Sequence, residues 1–217
     1  MDGVFKDTTN LTKWTIRFLY LQVGVVVLSI ITGALEYQLL SDINNGIYHP
    51  DSDYELNDTR VGLSALAFVF VFFITAFMIL RWIYLTSQNS HLISSDTMED
   101  SPGWAVGWYF VPIANLWKPY QAMKEIWRVN VSDTTPSIFP WWWLFWILTS
   151  YLGNLSAQAS LFWDSENNLI QSNMFYLLSD ITNIPLCLIF ITIMNQIYQS
   201  QKLKVEQKET TKDADFD

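Results

Sequence analysis

The chain has 217 residues, of which 51% are hydrophobic, 16% aromatic and only 15% charged, with a formal net charge of −9. A soluble domain carries about 25% charged residues, so the composition argues against an ordinary water-soluble fold, and the few, scattered basic residues exclude nucleic acid as a partner. A lone cysteine, Cys187, excludes an intramolecular disulfide and a Cys-rich metal site, while His49 and His91 fall in polar connections with no zinc-like spacing and no cofactor ligand set.

In chain order, a basic start (Lys6, Lys13, Arg17) leads into an apolar run, and a first membrane span is expected at about 16–40. A hydrocarbon core of about 30 Å takes about 20 apolar residues at ~1.5 Å each, which this run supplies. A basic start before an apolar stretch also fits a signal peptide, but the run outlasts a usual signal core, so it reads as an uncleaved span. An acidic connection follows, with Asp42, Asp51, Asp53, Glu55 and Asp58. A second span is expected at about 63–85, with Arg81 near its end, where a long side chain can reach the headgroups.

The next stretch, about 101–128, is too interrupted to span. Ser101 before Pro102 makes an N-cap and first-turn pair. The apolar core from Trp104 to Trp117 is shorter than a bilayer requires, and Pro112 and Pro119 each break a helix. Two or three short helical pieces are expected, interfacial or re-entrant. Trp104, Trp108, Leu116, Tyr120, Met123 and Trp127 recur at near-helical spacing among Asn115, Lys118, Lys124 and Arg128. Such a mixture of rings and cations suits the headgroup boundary. Two readings stand side by side: an amphipathic piece packed under the bundle, or a recognition surface for a lipid headgroup or partner protein. The candidate contact residues are Pro102, Trp104, Trp108, Tyr109, Phe110, Pro112, Asn115, Trp117, Lys118, Pro119 and Tyr120.

The run from Pro102 to Arg128 resembles the hallmark segment of a bacterial integral-membrane family catalogued as domain-of-unknown-function family 4328. Pro102, Trp104, Trp108, Tyr109, Phe110, Pro112, Asn115, Leu116, Lys118 and Pro119 occupy its positions. The resemblance implies a bacterial origin and a membrane location, and it carries no activity with it.

A third span is expected at about 139–162, opening on Pro140 and an interfacial belt of Trp141, Trp142 and Trp143. A fourth is expected at about 174–198, with Pro185 placed to kink it. Residues 201–217 read as a charged, disordered tail. Of the twelve Lys and Arg, all but Arg60 fall in the N-terminus, the connection between the second and third spans with its edge, or the tail. The opposite connections carry Asp and Glu, including Asp164 and Glu166. Basic residues mark the cytoplasmic side, so both termini are expected inside.

That orientation sets five polar side chains at similar depth near the outer leaflet: Glu36, Asn154, Gln158, Asp180 and Asn183. They read either as an outward polar cavity for a cation, proton or polar ligand, or as interhelical hydrogen bonds, which average about 0.6 kcal/mol in membranes. No phosphate-binding loop, dinucleotide fingerprint, zincin or serine-hydrolase motif is present. The expected fold is all-α: a four-helix membrane bundle over 1–200 with an interfacial segment between its second and third spans. The expected protein sits in the cytoplasmic membrane and acts by binding, without catalysis or cofactor. Its expected partners are membrane lipids and another membrane protein or a second copy. The alternative is a small transporter or channel using the outer polar cluster.

Overall fold

The computed structural model describes residues 4–94, 97–162 and 166–214, with side chains described for 4–94, 97–161 and 168–207. Asp164, Glu166, Lys208 and Lys212, which entered the orientation argument, lie outside the described side chains. Among the described residues every regular element is helical. The order is α1 (Thr9–Asn44), α2 (Asp51–Ile93), α3 (Pro102–Gly107), the 3-10 turns Trp108–Phe110 and Ala114–Leu116, α4 (Lys118–Asn130), α5 (Ile138–Phe162) and α6 (Glu166–Ala214).

Three helices, over Thr9–Asn44, Asp51–Ile93 and Asn168–Gln207, are long and apolar enough to cross a membrane. α5, with 25 residues and no charged side chain, is not among these three. Helices α1, α2 and α6 outrun the expected spans. α2, with 43 residues, is about 65 Å long against a hydrocarbon core of about 30 Å. α6 passes through Pro185 without a break and continues to Ala214, where the sequence reading placed a disordered tail from 201. Lys, Glu, Gln and Leu sustain a helix there, and Lys202 meets Glu206 one turn on at 3.7 Å.

The chain forms two compact units. One comprises Met1–Arg17, Ala76–Phe139 and Phe190–Asp217. Its apolar centre holds Trp82, Ile83, Met123, Ile126, Phe139, Ile193, Met194 and Ile197, all fully buried. Phe139 receives the ring edge of Trp127 at 5.2 Å and that of Tyr120 at 6.5 Å, and Trp82 stands on Phe190 at 6.2 Å. Edge-to-face pairs of this kind add about 0.5–1.5 kcal/mol each beyond their burial.

A buried polar layer lies in the same unit. The Asn89 carboxamide accepts from the Lys6 backbone N–H at 2.9 Å and donates to the Lys6 carbonyl at 2.9 Å, so it holds the segment ahead of α1 as a strand partner would. It also donates to Gln201, whose own amide donates to the Thr86 carbonyl at 3.1 Å. Asn130 donates to Ser90 at 2.7 Å, Trp82 to Thr12 at 3.0 Å, and Tyr198 to Thr9 at 3.1 Å. These bonds account for the extra turns of α2 and α6. Residues 86–90 are all polar, and the turn is held through Asn89, Ser90 and the Thr86 carbonyl, which find partners, while the Thr86 and Ser87 hydroxyl groups are buried without one.

The second unit comprises Phe18–Thr75 and Pro140–Ile189. Small residues let its helices approach. A Cβ added at Gly33 would lie 2.9 Å from Leu177 Cδ2. Between α5 and α6, Ser156 and Ser172 exchange hydroxyl-to-carbonyl bonds at 2.9 and 3.0 Å, and Thr149 meets Thr182 at 2.8 Å while its carbonyl accepts from Ser179. Small and hydroxyl residues at a close crossing are the usual glue between helices in lipid.

Replacing Asn89 by Leu keeps the volume and strands both Lys6 backbone groups. The expected cost is about 2 kcal/mol from two unsatisfied, partly buried peptide groups. It should appear as a lower midpoint in far-UV thermal melts of the detergent-solubilised protein, with faster proteolysis of residues 4–8.

Candidate functional site

The 101–128 segment is built first from its cap. Ser101 Oγ accepts the Trp104 N–H at 3.4 Å, Pro102 starts α3, and the helix lasts only six residues. The Trp104 ring lies across Gly107, where an added Cβ would come within 3.2 Å of Trp104 Cε3, and it packs on Trp108 at 4.5 Å between centroids. Lys118 places its ammonium 5.1 Å from the centre of the Trp108 ring, and Lys124 stands 5.6 Å from that of Tyr120. Each such cation–π contact is worth about 0.5–1 kcal/mol when exposed. Burial pushes the Tyr109 phenol well above its ordinary range.

Between the two 3-10 turns the backbone makes an unusual corner. Ile113 has φ 67° and ψ −53°, and the Ala114 N–H closes on the Pro112 carbonyl at 2.8 Å. This is a γ-turn of positive φ, the rare and strained form. A β-branched residue there costs on the order of 1–3 kcal/mol. Ile113 is the only described non-glycine residue with positive φ. The corner turns its apolar side chains outward: Ile113 is 73% exposed and Phe110 71%, flanked by Trp104, Leu116 and Trp117 at about half exposure. Trp108 Nε1 is buried with no acceptor. An unpaired indole donor and an ammonium thus sit beside a rim of exposed rings.

The structure therefore divides the sequence candidates. Trp104, Phe110, Pro112 and Trp117 stand exposed, Trp108 and Lys118 lie just behind them, and Pro119 is buried where α4 begins. Tyr120 packs inward on Phe139. Behind the rim, α4 turns one face inward through Ala122, Met123, Ile126 and Trp127. The stretch just ahead of α3 is held by two contacts that have no sign in the sequence. His91 Nε2 donates to the Asp100 carbonyl at 3.0 Å. Glu125 Oε2 accepts the backbone N–H groups of Glu99 at 3.2 Å and Asp100 at 3.5 Å.

The outer polar cluster assembles differently from the expectation. Glu36 accepts from Asn173 Nδ2 at 2.7 Å. Asp180 is 3% exposed, takes a hydrogen bond from Ser29, and leaves Oδ2 without a partner. Ser29 also shares a 2.6 Å hydrogen bond with the Tyr176 hydroxyl. Asn183 is buried and accepts from the Cys187 thiol. Asn154 and Gln158 are exposed and do not join; Asn154 donates instead to the carbonyl of Ser150, one turn back. The missed members are Ser29, Asn173 and Tyr176, with Gln22 two turns along α1 from Ser29, buried and with both amide atoms unpaired. A seven-residue step links Gln22, Ser29 and Glu36, and steps of three and four link Asn173, Tyr176, Asp180, Asn183 and Cys187. That periodicity marks one helix face and would have found them. No group of three or more metal-ligating side chains occurs among the described residues.

Residues 49–199, well over half of the chain, match the family described as Domain of unknown function (DUF4328). No curated protein and no solved structure matches.

Burial, with the Asp100 and Glu99 charges nearby, raises the Glu125 carboxyl above its ordinary range despite the two N–H bonds that oppose the shift. The folded state therefore holds the Glu125 proton more tightly than the unfolded chain, and this contribution is full at low pH and fades as pH rises through the raised value. Glu125→Gln should remove that acid-side dependence and leave the 97–101 stretch as protected from protease at pH 8 as at pH 5. Limited proteolysis across that range measures it.

Proposed function

The chain belongs to domain-of-unknown-function family 4328, and from that membership and the rim we propose a non-enzymatic, multi-pass membrane protein that acts by binding. In this reading α5 is the fourth span. It has no charged residue over 25 positions and opens on an interfacial tryptophan belt. The basic N-terminus, the Lys/Arg-bearing 101–128 stretch and the basic start of the tail then face the cytoplasm of a bacterial cell. The protein is an accessory or regulatory subunit that holds its Trp/Pro-rich segment at the inner headgroup layer and displays it there to a membrane partner.

The observation that carries this reading is the γ-turn at Ile113. A chain that accepts backbone strain in order to hold Ile113 and Phe110 outward is spending stability on an apolar surface that its own fold does not cover. Strain of this kind clusters at ligand clamps and switch regions. The flanking Lys118 and the unpaired Trp108 donor suit a layer rich in oxygen acceptors.

A photo-reactive amino acid at position 110 or 113 in cells should crosslink to a defined protein, to phospholipid, or to both. Recovery of neither would sink the proposal. Ile113→Gly should keep or slightly raise the melting midpoint, because strain is relieved, while lowering the crosslink yield at position 110 several-fold.

Asp180 favours a second reading. A carboxyl 3% exposed within an apolar helix, with one oxygen unpaired and no cation beside it among the described residues, is costly in lipid and marks proton or cation sites in transporters. If the seam transports a cation or proton, Asp180→Asn abolishes proteoliposome flux while the helical content holds. Equal flux from the variant and the native protein removes this reading.

A further inference from the structure

The second unit contains a cavity that neither site uses. It lies between the last turns of α1 and the first turns of α2, with a volume of about 260 Å³. Its geometry follows from the way α1 ends. Gly46, at φ 76°, closes the helix with two backbone bonds, Gly46 N–H to Ile43 O and Ile47 N–H to Asp42 O, both 2.9 Å. This is the paired terminus that glycine in the left-handed region permits. The chain then returns through His49, whose Nε2 lies 3.2 Å from Asp42 and whose Nδ1 lies 3.4 Å from Asp53. His49 thereby ties the end of α1 to the first turn of α2 and fixes the two carboxylates on one wall.

Arg60 faces this wall. Its Nη2 donates to Asn57 Oδ1 at 2.8 Å, which orients the guanidinium, and its Nε is buried with no acceptor. No ion pair forms between Arg60 and Asp42 or Asp53 among the described residues, although all three line the same space. The remaining wall is apolar: Leu35, Leu39 and Leu56. The cavity thus separates one unpaired, forked cation from two carboxylates, with an aliphatic floor between them. A guanidinium with free N–H groups takes a planar pair of oxygens from a phosphate or carboxylate. The two aspartates take an ammonium. Neither half alone uses the site, because an anion would meet Asp42 and Asp53 and a simple cation would leave Arg60 Nε unpaired.

We propose that this cavity binds a small zwitterion whose oxyanion sits on Arg60 and whose ammonium sits on the Oδ1 atoms of Asp42 and Asp53, since His49 engages only the Oδ2 atoms. The phosphoethanolamine group, free or as the head of a phospholipid, has that chemistry. The aliphatic wall lies on the last turns of α1 and the first turns of α2, two helices apolar enough to cross a membrane, and would take the glycerol and upper chains of a bound lipid. This site is independent of the rim.

The test uses the full chain, delipidated in neutral detergent, with the thermal midpoint read by tryptophan fluorescence during titration. Three probes are added: phosphatidylethanolamine in mixed micelles, soluble O-phosphoethanolamine, and phosphatidylglycerol, which has the phosphate without the ammonium. Phosphatidylethanolamine is expected to raise the midpoint saturably, and phosphatidylglycerol is not. A rise with O-phosphoethanolamine as well identifies the head alone as sufficient, and a rise with the lipid only identifies the membrane-borne form. Arg60→Gln should weaken the response about tenfold or more, and Asp42→Asn with Asp53→Asn should bring phosphatidylethanolamine down to the phosphatidylglycerol level. Arg60→Lys keeps the charge and loses the fork, so it serves if Arg60→Gln fails to fold, and it too should weaken binding. The proposal is overturned if the two lipids act alike on the native protein, if no probe raises the midpoint, or if a folded Arg60 variant titrates like the native chain.

Discussion

A polar group withdrawn from water must find a partner inside the protein, and the carboxamide of Asn89 shows how much of this structure follows from that requirement. Its two bonds to Lys6 give a peptide segment outside any helix the pairing it would otherwise take from water. Its third, to Gln201, brings α6 into the same arrangement. The chain on either side is then committed. α2 continues past its apolar stretch so that Asn89 and Ser90 reach their partners, and α6 continues so that Gln201 reaches Thr86. A helix satisfies its own backbone in any solvent, so its length is set by where its side chains find partners, which here lies well beyond the thickness of a bilayer.

The 101–128 segment does the reverse. Its backbone is short helix, 3-10 turn and γ-turn instead of one continuous ladder, and Pro112 and Pro119 prevent any longer helix. The pieces are held from behind: α4 turns Met123, Ile126 and Trp127 into the core, and Glu125 and His91 hold the approach to Ser101. A rigid rear and a strained, apolar front form a platform. Without the anchored α4, the positive φ of Ile113 would relax and the exposed side chains would fold inward.

Much of this was legible in the sequence, and the limits have physical causes. The helices and their order follow from apolar runs and prolines, and Ser101–Pro102 announced α3 as read. α2 and α6 run on past their apolar stretches because polar residues such as Asn89, Ser90 and Gln201, which read as connections in the sequence, find partners far off in the chain. The expected polar cluster is only partly brought together. Glu36, Asp180 and Asn183 are buried or half-buried, but depth along a helix axis does not fix the face. Asn154 and Gln158 share their depth and point elsewhere. Asking which polar residues recur at seven-residue steps would have replaced them with Ser29, Asn173 and Tyr176. The γ-turn at Ile113 had no sequence sign, since that conformation favours glycine and the chain has isoleucine.

The polar atoms that remain unpaired sort the structure further. Most buried polar groups here have partners, as those that only hold a fold together must. The exceptions are Asp180 Oδ2, Asn173 Oδ1 and the Gln22 amide on the α1 and α6 faces, Thr86 Oγ1, Ser87 Oγ and Asn130 Oδ1 in the buried polar layer, Trp108 Nε1 behind the rim, and Arg60 Nε in the cavity beside His49. A carboxamide or hydroxyl in a purely structural seam can rotate to meet a neighbour, as the Ser156–Ser172 exchange does. Arg60 has a neighbour of opposite charge in the same cavity and does not pair with it. Its orientation is set instead by Asn57, a neutral acceptor, and its charge acts only at longer range on Glu36. An Arg held near two aspartates, yet kept from them by a histidine that occupies both, is arranged to meet something that brings its own anion and its own cation. That arrangement, more than the volume of the space, separates a binding site from a packing defect.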